Sequence, residues 1–392
     1  MKIVSLKAIP ITHSEHHQKS AKYLHEYPLN HLFVRVDTDE GTTGYGEVSD
    51  NYGCSYPLSV KAIIDEVLGP MLLGEDANAI QRLVVKMRGW TRREFCDQGV
   101  IIQAISGVEI ALWDALGKAQ NKSVTQLLGR YRDQIPVYAS GTMLEEGPAE
   151  FHLKLFEPCL SHGVSAIKVR LGLDYKRDLK TLHALRRLIG DDIDILVDGS
   201  EHFSVTTALG IAKALADLGV LFFEEPVPQH SRDEIAQLVE KSPLPIAYGE
   251  HLFTTHDFQD WLKHRRVNVV QPDAAISGGI AECRRIAALA ESFGVWVVPH
   301  SAAGPLVLAA NLHLCASIAN IWMLEYAFTL DRLWKEMLVE PILSPNMLRD
   351  GKLAVPSGPG LGLMIDEEVW QRHPYQPRAL VQSMPTWALG HV

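Results

Sequence analysis

The stretch Leu221-Phe222-Phe223-Glu224-Glu225-Pro226 places two carboxylates directly after a short apolar run. Runs of this kind recur along the middle of the chain and mostly alternate with amphipathic helix patterns, such as 178–188 and 280–293. The predicted strands are Ile135–Ala139, Ala166–Val169, Ile193–Val197, Leu221–Phe223, Ile246–Tyr248, Val267–Val270, Val295–Val298 and Ile321–Leu324. Eight short buried strands that alternate with helices favour a (β/α)8-type barrel over an open doubly wound sheet. No glycine-rich phosphate motif opens any of the units, which weakens the open-sheet alternative.

Polar side chains follow these strands from residue 166 onward, one set for each strand–helix repeat. They are Lys168 with Arg170, Asp198, Glu224, Glu250, Asp273, His300 and Glu325, at steps of 30, 26, 26, 23, 27 and 25 residues. A single carboxylate after a strand is usually a helix cap or a solvated loop residue, but seven consecutive repeats are harder to explain in that way. The carboxyl ends of all barrel strands point to one face, where such enzymes keep their active sites. We therefore expect these side chains to lie together.

Three carboxylates of this set, Asp198, Glu224 and Glu250, come from neighbouring repeats with no Cys or His among them. Converging carboxylate oxygens suit Mg²⁺, which keeps open positions for water or substrate oxygens, better than they suit zinc. Glu225 directly follows Glu224, and successive strand residues point to opposite faces, so one of the pair turns away from the barrel axis. We assign Glu224 as the ligand.

His300 and Asp273 follow consecutive strands and form a predicted general-base dyad. A carboxylate bonded to one imidazole nitrogen fixes the tautomer and raises the basicity of the other nitrogen. Alone, such a pair is more often a structural interaction, and the predicted metal site beside it favours catalysis. Lys168 and Arg170 share a strand face and supply positive charge opposite His300. Lysine can act as an acid or a base, whereas arginine stays protonated.

The first 125 residues show a different order of predicted elements, with strand patterns at 3–11, 31–36 and 45–48 followed by helical patterns. Strands followed by helices indicate an α+β unit. The polar stretch that contains His13, His16 and His17 is expected to be a solvated loop rather than a metal site.

The alternation fades after residue 326, where a Gly/Pro-rich tail begins that we expect to pack back on the body. The predicted division is an α+β capping domain at 1–125, a modified barrel at 126–325, and a C-terminal segment at 326–392 that completes both.

Composition excludes several classes of protein. The 392 residues include 47 Asp and Glu against 37 Lys and Arg, a net charge of −10, which argues against a nucleic-acid partner. Five scattered cysteines without CxxC spacing, and no signal-like or membrane-length apolar run, predict a cytoplasmic protein without membrane association.

The chain resembles the mandelate racemase subgroup of the enolase superfamily. The resemblance covers essentially the whole chain and rests on the ordered set Lys168-Val169-Arg170, Val197-Asp198, Phe223-Glu224-Glu225-Pro226, Gly249-Glu250, Gln271-Pro272-Asp273, Pro299-His300 and Leu324-Glu325. It implies a (β/α)7β TIM-type barrel with an α+β capping domain formed by the N-terminal region and the C-terminal tail.

The resemblance also implies roles for individual residues. Mg²⁺ on Asp198, Glu224 and Glu250 would hold the carboxylate of a substrate with an acidic α-carbon. His300, oriented by Asp273, would remove or return the α-proton. Lys168 would lie near the substrate carboxylate, and Glu325 would hydrogen-bond an oxygen of the enediolate.

Two departures from the family pattern bear on the reaction. The commoner motif is Lys-x-Lys, and here the second position is Arg170, a poor base, which favours a one-base reaction over a two-base racemisation. Relatives often carry Asn where this chain has Ser200, and the nearby His202 either contacts substrate or is an ordinary loop histidine.

These observations predict a Mg²⁺-dependent acid-sugar dehydratase that converts an aldonate or aldarate to its 2-keto-3-deoxy product. The alternatives are an epimerase, racemase or lactone cycloisomerase on a related sugar acid, and a non-catalytic metal-binding barrel. We expect a small sugar-acid substrate and a homo-oligomer. Substrate contacts are predicted in the loops at 13–23 and 51–56 and at Tyr52 and His202. They are also predicted at Trp90 and Arg92, for which the alternative interpretation is an ordinary surface turn.

Overall fold

The computed structural model describes residues 1–19, 23–51, 53–94 and 96–377, with only the backbone for 14–19 and 23–28. Eight parallel strands form the larger body. They are β4 (Gln134–Met143), β5 (Ala166–Arg170), β6 (Asp194–Asp198), β7 (Val220–Glu224), β8 (Ile246–Tyr248), β9 (Val269–Val270), β10 (Trp296–Val297) and β11 (Leu324–Tyr326). They neighbour one another in chain order from β4 to β10, and β11 pairs with β4. A parallel bridge between Val297 and Ile321 joins β10 to the chain just before β11 and closes the barrel.

Seven helices separate these strands, one after each strand from β4 to β10. They are α6 (Ala149–Leu160), α7 (Tyr175–Ile189), α8 (Val205–Asp217), α9 (Arg232–Lys241), α10 (Thr254–Lys263), α11 (Ile280–Ser292) and α12 (Pro305–Ala316). Parallel neighbours need such crossovers, and the helices cover the barrel with their apolar faces. The predicted (β/α)7β barrel is confirmed, although β4 is five residues longer than its apolar run indicated and several other strands differ in length by one or two residues.

A three-stranded antiparallel sheet and five helices form the N-terminal cap. The strands are β1 (Ile3–Lys19), β2 (Tyr23–Thr38) and β3 (Thr43–Val48). The helices are α1 (Pro57–Ile63), which continues as a π-helical turn over Ile64–Leu68, then α2 (Gly69–Leu72), α3 (Ile80–Glu94), α4 (Val100–Ala119) and α5 (Val124–Leu128). The α+β character predicted for this region is confirmed.

The expected loop near residue 13 is wrong, because β1 and β2 pair from Ile3 opposite Thr38 to Lys19 opposite Tyr23, with one register shift between Ile3 and Ser5. His13 itself is fully buried rather than solvated. A polar run looks like a loop by composition, but the backbone ladder of a hairpin forms whether or not its side chains are apolar.

The C-terminal segment packs against both bodies. Its elements are α13 (Asp331–Met337), β12 (Lys352–Ala354) and α14 (Val369–Arg372), with 3-10 turns at Phe328–Leu330 and Pro345–Met347. β12 pairs antiparallel with the start of β4, and the Trp370 ring lies 4.9 Å from that of Phe33 on β2. The capping domain therefore draws on both ends of the chain, as predicted, while the boundaries at 125 and 325 stay predictions.

Helix α4 is long and apolar enough to cross a membrane by composition alone, but 89% of its most apolar window is buried inside the fold. It packs on β3 at very short range. A Cβ added to Gly46 would lie 2.1 Å from the Gly107 carbonyl oxygen and 2.8 Å from the Ala111 nitrogen. Only glycine allows the strand and helix backbones to approach this closely.

Two glutamates of the cap hold the ends of barrel helices. Glu47 on β3 accepts hydrogen bonds from the backbone of Gly304 at 2.9 Å and Val307 at 3.3 Å, at the start of α12. Glu109 on α4 accepts from Ile280 at 2.9 Å and Ala281 at 3.0 Å, at the start of α11. Carboxylates satisfy the free N–H groups of a helix N-terminus and complement its dipole, so these bonds join the cap to the barrel.

Replacing Gly46 with alanine tests the close contact between β3 and α4. We expect Gly46→Ala to lower the free energy of unfolding by about 2 kcal/mol or more, because backbone must move to admit the methyl group. Urea unfolding followed by circular dichroism measures the change. Gly210 in α8 has no atom within 4 Å of an added Cβ, so Gly210→Ala is the matched control and should stabilise by about 0.5–1 kcal/mol. Equal stability of the Gly46→Ala protein and the parent would contradict the packing described.

Candidate active site

The barrel register brings the predicted residues to one end. Arg170 on β5 lies opposite Asp198 on β6, which lies opposite Glu224 on β7. Each is the last residue of its strand, so the three side chains reach the same face of the barrel. The position of each functional group thus follows from where its apolar strand stops.

Two cations of β5 bind the carboxylates around them. The Lys168 Nζ is 2.5 Å from Glu224 Oε1 and 2.9 Å from Glu325 Oε1, and all three side chains are fully buried. The Arg170 Nε is 2.9 Å from Asp198 Oδ2. Burial alone would lower the pKa of Lys168, but the charges of Glu224 and Glu325 raise it well above its ordinary value. Lys168 is therefore held as an ammonium ion.

The predicted dyad is present as a buried hydrogen bond. His300 Nδ1 lies 2.8 Å from Asp273 Oδ2. Asp273 Oδ1 accepts from the Ala275 backbone at 2.8 Å and from Asn311 Nδ2 at 3.2 Å. Asn311 also donates to the His300 carbonyl oxygen at 3.1 Å, so this α12 amide fixes both members. The Nδ1–H points to Asp273, which leaves Nε2 for the substrate side.

His300 Nε2 faces carboxylates rather than a hydrogen-bond partner. It lies 3.8 Å from Glu250 Oε2 and 3.8 Å from Glu325 Oε2, and it is buried with no hydrogen bond to any residue that the structure describes. Burial lowers the pKa of His300, but the charges of Glu250 and Glu325 and the hydrogen bond to Asp273 outweigh burial and raise it to about 9. The imidazole is thus aimed into a negatively charged space.

The buried carboxylates of this group outnumber the lysine and the arginine that pair with them. Burial and the charges of Asp198 and Glu250 raise the pKa of Glu224 well above its ordinary value, even though Lys168 lowers it. Glu250 Oε2 is buried and accepts no hydrogen bond from the described part of the chain. A divalent cation with oxygen ligands would neutralise this excess, and carboxylate oxygens already bonded to one donor keep a lone pair for it. The donor set of Asp198, Glu224 and Glu250 therefore fits Mg²⁺.

The carboxylate of Glu225, the first residue after β7, lies beside His251, whereas that of Glu224 lies beside Lys168. The backbone φ of Glu225 is +36°, and its carboxylate lies 3.2 Å from His251 Nδ1. Burial lowers the pKa of His251, but the hydrogen bond and the charge of Glu225 raise it to about 10. Ser200 and Glu201 also have positive φ, of +46° and +59°, so the backbone beyond β6 and β7 is strained where the predicted ligands emerge. The assignment of Glu224 as the ligand stays a prediction.

Three amide side chains that the sequence analysis did not single out support the site. Gln271 Nε2 donates to Glu224 Oε2 at 2.7 Å, and Asn51 Nδ2 donates to Glu250 Oε1 at 3.2 Å. Asn311 holds the dyad as described above. Gln271 directly precedes Pro272-Asp273, which was a usable signal, whereas Asn311 lies within an apolar helix pattern that gives no hint of its target.

The predicted substrate contacts are not brought into this group. The His202 side chain is exposed, and Trp90 on α3 is 39% exposed. Arg92 is 57% exposed and lies 2.8 Å from Asp97 on the surface. Tyr52 lies outside the described residues, although its neighbour Asn51 reaches Glu250. The contacts of these four residues with substrate stay predictions.

A closed parallel barrel with a buried His–Asp pair and converging carboxylates at the carboxyl ends of its strands, covered by an α+β cap, defines a barrel enzyme. The chain belongs to the enolase superfamily, in its mandelate racemase group. Residues 9–129 match the family "Mandelate racemase / muconate lactonizing enzyme, N-terminal domain", and residues 155–369 match "Enolase C-terminal domain-like". The predicted family is confirmed.

Similar proteins of known activity include lyases and isomerases. The chain is 34% identical over 357 residues to an arabinonate dehydratase of Saccharolobus solfataricus, which covers 90% of this chain and 92% of the relative. It is 28% identical to a D-galactarolactone cycloisomerase of Agrobacterium fabrum over 86% of this chain and 89% of the relative. A racemase from Streptomyces coelicolor, crystallised with bound magnesium, superposes with a TM-score of 0.83 at 27% identity over 95% of this chain and 99% of its own. The prediction of an enzyme, a carbon–oxygen lyase with an isomerase as runner-up, is confirmed.

The charge around His300 predicts an unusual titration in metal-free protein. We expect the imidazole to titrate near pH 9 rather than near its ordinary value of about 6.5. Glu325→Gln removes a negative neighbour of the imidazolium and should lower this pKa by about 1. Because the folded pKa is raised, His300 stabilises the fold below pH 6.5 and this contribution is lost as the pH rises through 9.

Histidine NMR spectra recorded after chelation of metals measure this pKa. Comparison with the spectrum of His300→Asn identifies the His300 signal. Glu240→Gln on the exposed end of α9 is the matched charge control and should leave the His300 signal unchanged. A His300 that titrates below pH 6 would contradict the charge distribution described.

Proposed function

We propose that this protein is a Mg²⁺-dependent acid-sugar dehydratase that acts on an aldonate or aldarate. The observation that carries the proposal is the make-up of the site, which holds one imidazole, that of His300, together with an arginine paired with a carboxylate and a lysine held as an ammonium ion. Arg170 is bound to Asp198, and Lys168 is held as an ammonium ion by Glu224 and Glu325. A two-base racemisation needs a second group that can accept a proton, and neither cation suits that role.

Asp198, Glu224 and Glu250 would hold the metal ion in this proposal. Bound Mg²⁺ would supply positive charge to the substrate carboxylate as negative charge develops on its oxygens. Lys168 would lie beside the same oxygens as a donor. Glu325, whose pKa is lowered despite its burial by Lys168 and His300 in the metal-free site, would have to take up a proton to donate a hydrogen bond there. A carboxylate's α-proton is very weakly acidic, so this stabilisation has to be in place before the proton leaves.

His300 would carry the proton in both halves of the reaction. Nε2 removes the α-proton, and the electron pair of the C–H bond moves into the enediolate. The imidazolium then gives this proton to the departing β-hydroxyl, so the β C–O bond breaks and water leaves. The resulting enol takes up a proton at its β-carbon and loses the proton of its hydroxyl group, which gives the 2-keto-3-deoxy acid. Asp273 and Asn311 keep Nε2 directed at the substrate during both transfers.

The relatives support a sugar acid as the substrate, and they leave an isomerase as the alternative to a dehydratase. The arabinonate dehydratase favours elimination, and the D-galactarolactone cycloisomerase favours an isomerase on a related sugar acid. A non-catalytic barrel is disfavoured because a scaffold has no need of a buried dyad together with an excess of buried carboxylates. Homo-oligomeric assembly and a cytoplasmic location stay predictions.

Dehydration is tested with Mg²⁺ and a panel of aldonates and aldarates, with a colour assay for 2-keto-3-deoxy acids. We expect one or a few substrates to give product, and His300→Asn to lower kcat by roughly 100-fold or more because the base is lost. The variant should still bind Mg²⁺. An epimerase would instead exchange deuterium from D₂O into recovered substrate without forming a keto acid. A negative result across the panel, or full activity of His300→Asn, would contradict the proposal.

The metal ligands are tested with the neighbouring pair Glu224 and Glu225. Glu224→Gln should weaken Mg²⁺ binding by at least 10-fold in calorimetric titration, because one charged ligand is lost. Glu225→Gln removes the same charge one residue away, on the side facing His251, and should have a much smaller effect. A larger loss in Glu225→Gln than in Glu224→Gln would reverse the assignment.

A further inference from the structure

A second group of ligand-type side chains lies away from the barrel mouth, where the first strand meets the C-terminal segment. It consists of His13 on β1, Glu336 on α13 and His373 just after α14. His13 is fully buried, whereas Glu336 and His373 are 33% and 21% exposed. Nothing in the proposed reaction uses these three residues.

The geometry of the group is close to that of a metal site. His13 Nε2 lies 3.5 Å from Glu336 Oε1, and His373 Nε2 lies 2.6 Å from Glu336 Oε2. The two imidazole rings have centroids 4.7 Å apart at 64°, and one ligand atom from each residue lies within 4.8 Å of the others. Ligand atoms about 2.0–2.1 Å from a tetrahedral zinc ion are about 3.4 Å from one another, so small side-chain movements suffice.

The three ligands stand on segments that the fold already fixes. Ile11 forms a bridge with Pro374, the Thr12 nitrogen donates to the His373 carbonyl oxygen at 3.4 Å, and the Gln376 nitrogen donates to Thr12 Oγ1 at 2.7 Å. These contacts hold β1 beside the C-terminal segment with or without an ion. A site on such a scaffold loses little conformational entropy when a metal binds.

We propose that His13, Glu336 and His373 bind a zinc ion, with water as the fourth ligand. Two imidazole nitrogens and one carboxylate are a zinc donor set, whereas Mg²⁺ prefers oxygen ligands alone. Burial raises the pKa of Glu336, but the hydrogen bond from His373 and the nearby imidazoles lower it overall, so the carboxylate is ionised and ready to bind. Arg332 Nε lies 3.4 Å from Glu336 Oε1, and its side chain is 40% exposed.

The bound ion would link β1, at His13, to the C-terminal segment, at Glu336 and His373. The role is structural, since the site is built from the chain's two ends and not from the barrel strands. It does not depend on the dehydratase proposal, because no substrate or product enters it.

The test is zinc titration of metal-stripped protein by calorimetry, with Mg²⁺ in excess to occupy the oxygen site. We expect zinc to bind, and the affinity of one equivalent to fall at least about 100-fold in His373→Asn and in Glu336→Gln because a ligand is lost. Zinc held by the other ligand-type group, Glu201, Glu225 and His251, would be unaffected by these two changes. His264→Asn is the matched control, because His264 lies 3.0 Å from Asp260 in an exposed histidine–carboxylate pair without a third ligand. It should leave zinc affinity unchanged, and zinc should raise the melting temperature of the parent and of His264→Asn only.

Cobalt provides a second measurement that does not rely on variants folding alike. Co²⁺ held by two imidazoles and a carboxylate in tetrahedral geometry absorbs strongly in the visible, and six oxygen ligands give only weak bands. We expect the strong bands in the parent and their loss in His373→Asn. Equal zinc affinity in the parent, His373→Asn and Glu336→Gln, or only weak cobalt bands in the parent, would overturn the proposal.

Discussion

The interaction of Lys168 with Glu224 and Glu325 is the constraint on which the active face depends. A buried ammonium ion has a large desolvation cost, and it is tolerated here because two carboxylates lie within 2.9 Å of it. The same carboxylates, with Asp198 and Glu250 nearby, leave negative charge that Lys168 and Arg170 do not balance. A bound divalent cation would offset this excess of negative charge, and the chemistry proposed for the site builds on that imbalance. The net charge of −10 for the whole chain does not reveal this excess of negative charge, because the excess is local to the site.

The cap contributes more than a cover. Asn51 follows β3 and reaches Glu250, so the cap adds a donor to the carboxylate cluster of the barrel. Glu47 and Glu109 bind the starts of α12 and α11, which are the helices that follow the strands leading to His300 and Asp273. Burial raises the pKa of Glu109 to about 7, so this junction keeps a buried acid whose charge depends on pH.

The barrel could be predicted from sequence because apolar strand patterns and amphipathic helix patterns alternate regularly along the chain. From β5 onward each barrel strand is a short apolar run that contains a polar site residue or is followed by one within three residues, at steps of 23 to 30 residues. This local pattern favours a closed barrel and predicts that Asp198, Glu224 and His300 cluster at one end of it. The hairpin beyond Ile11 could not be predicted, because its ladder is made by backbone groups and its side chains are polar. Asn311 and His13 were missed for a related reason: their partners lie far away in sequence, on other elements, and only the folded chain shows which polar atoms meet.

The glutamate contacts between cap and barrel also limit how this protein can be recombined. A cap taken from another member of the superfamily would have to present a carboxylate at the positions of both Glu47 and Glu109, or the first turns of two barrel helices would lose their partners. Those turns follow the segments that carry the base and its orienting carboxylate. The cap and the placement of His300 and Asp273 would thus be exchanged as one unit rather than as separable modules.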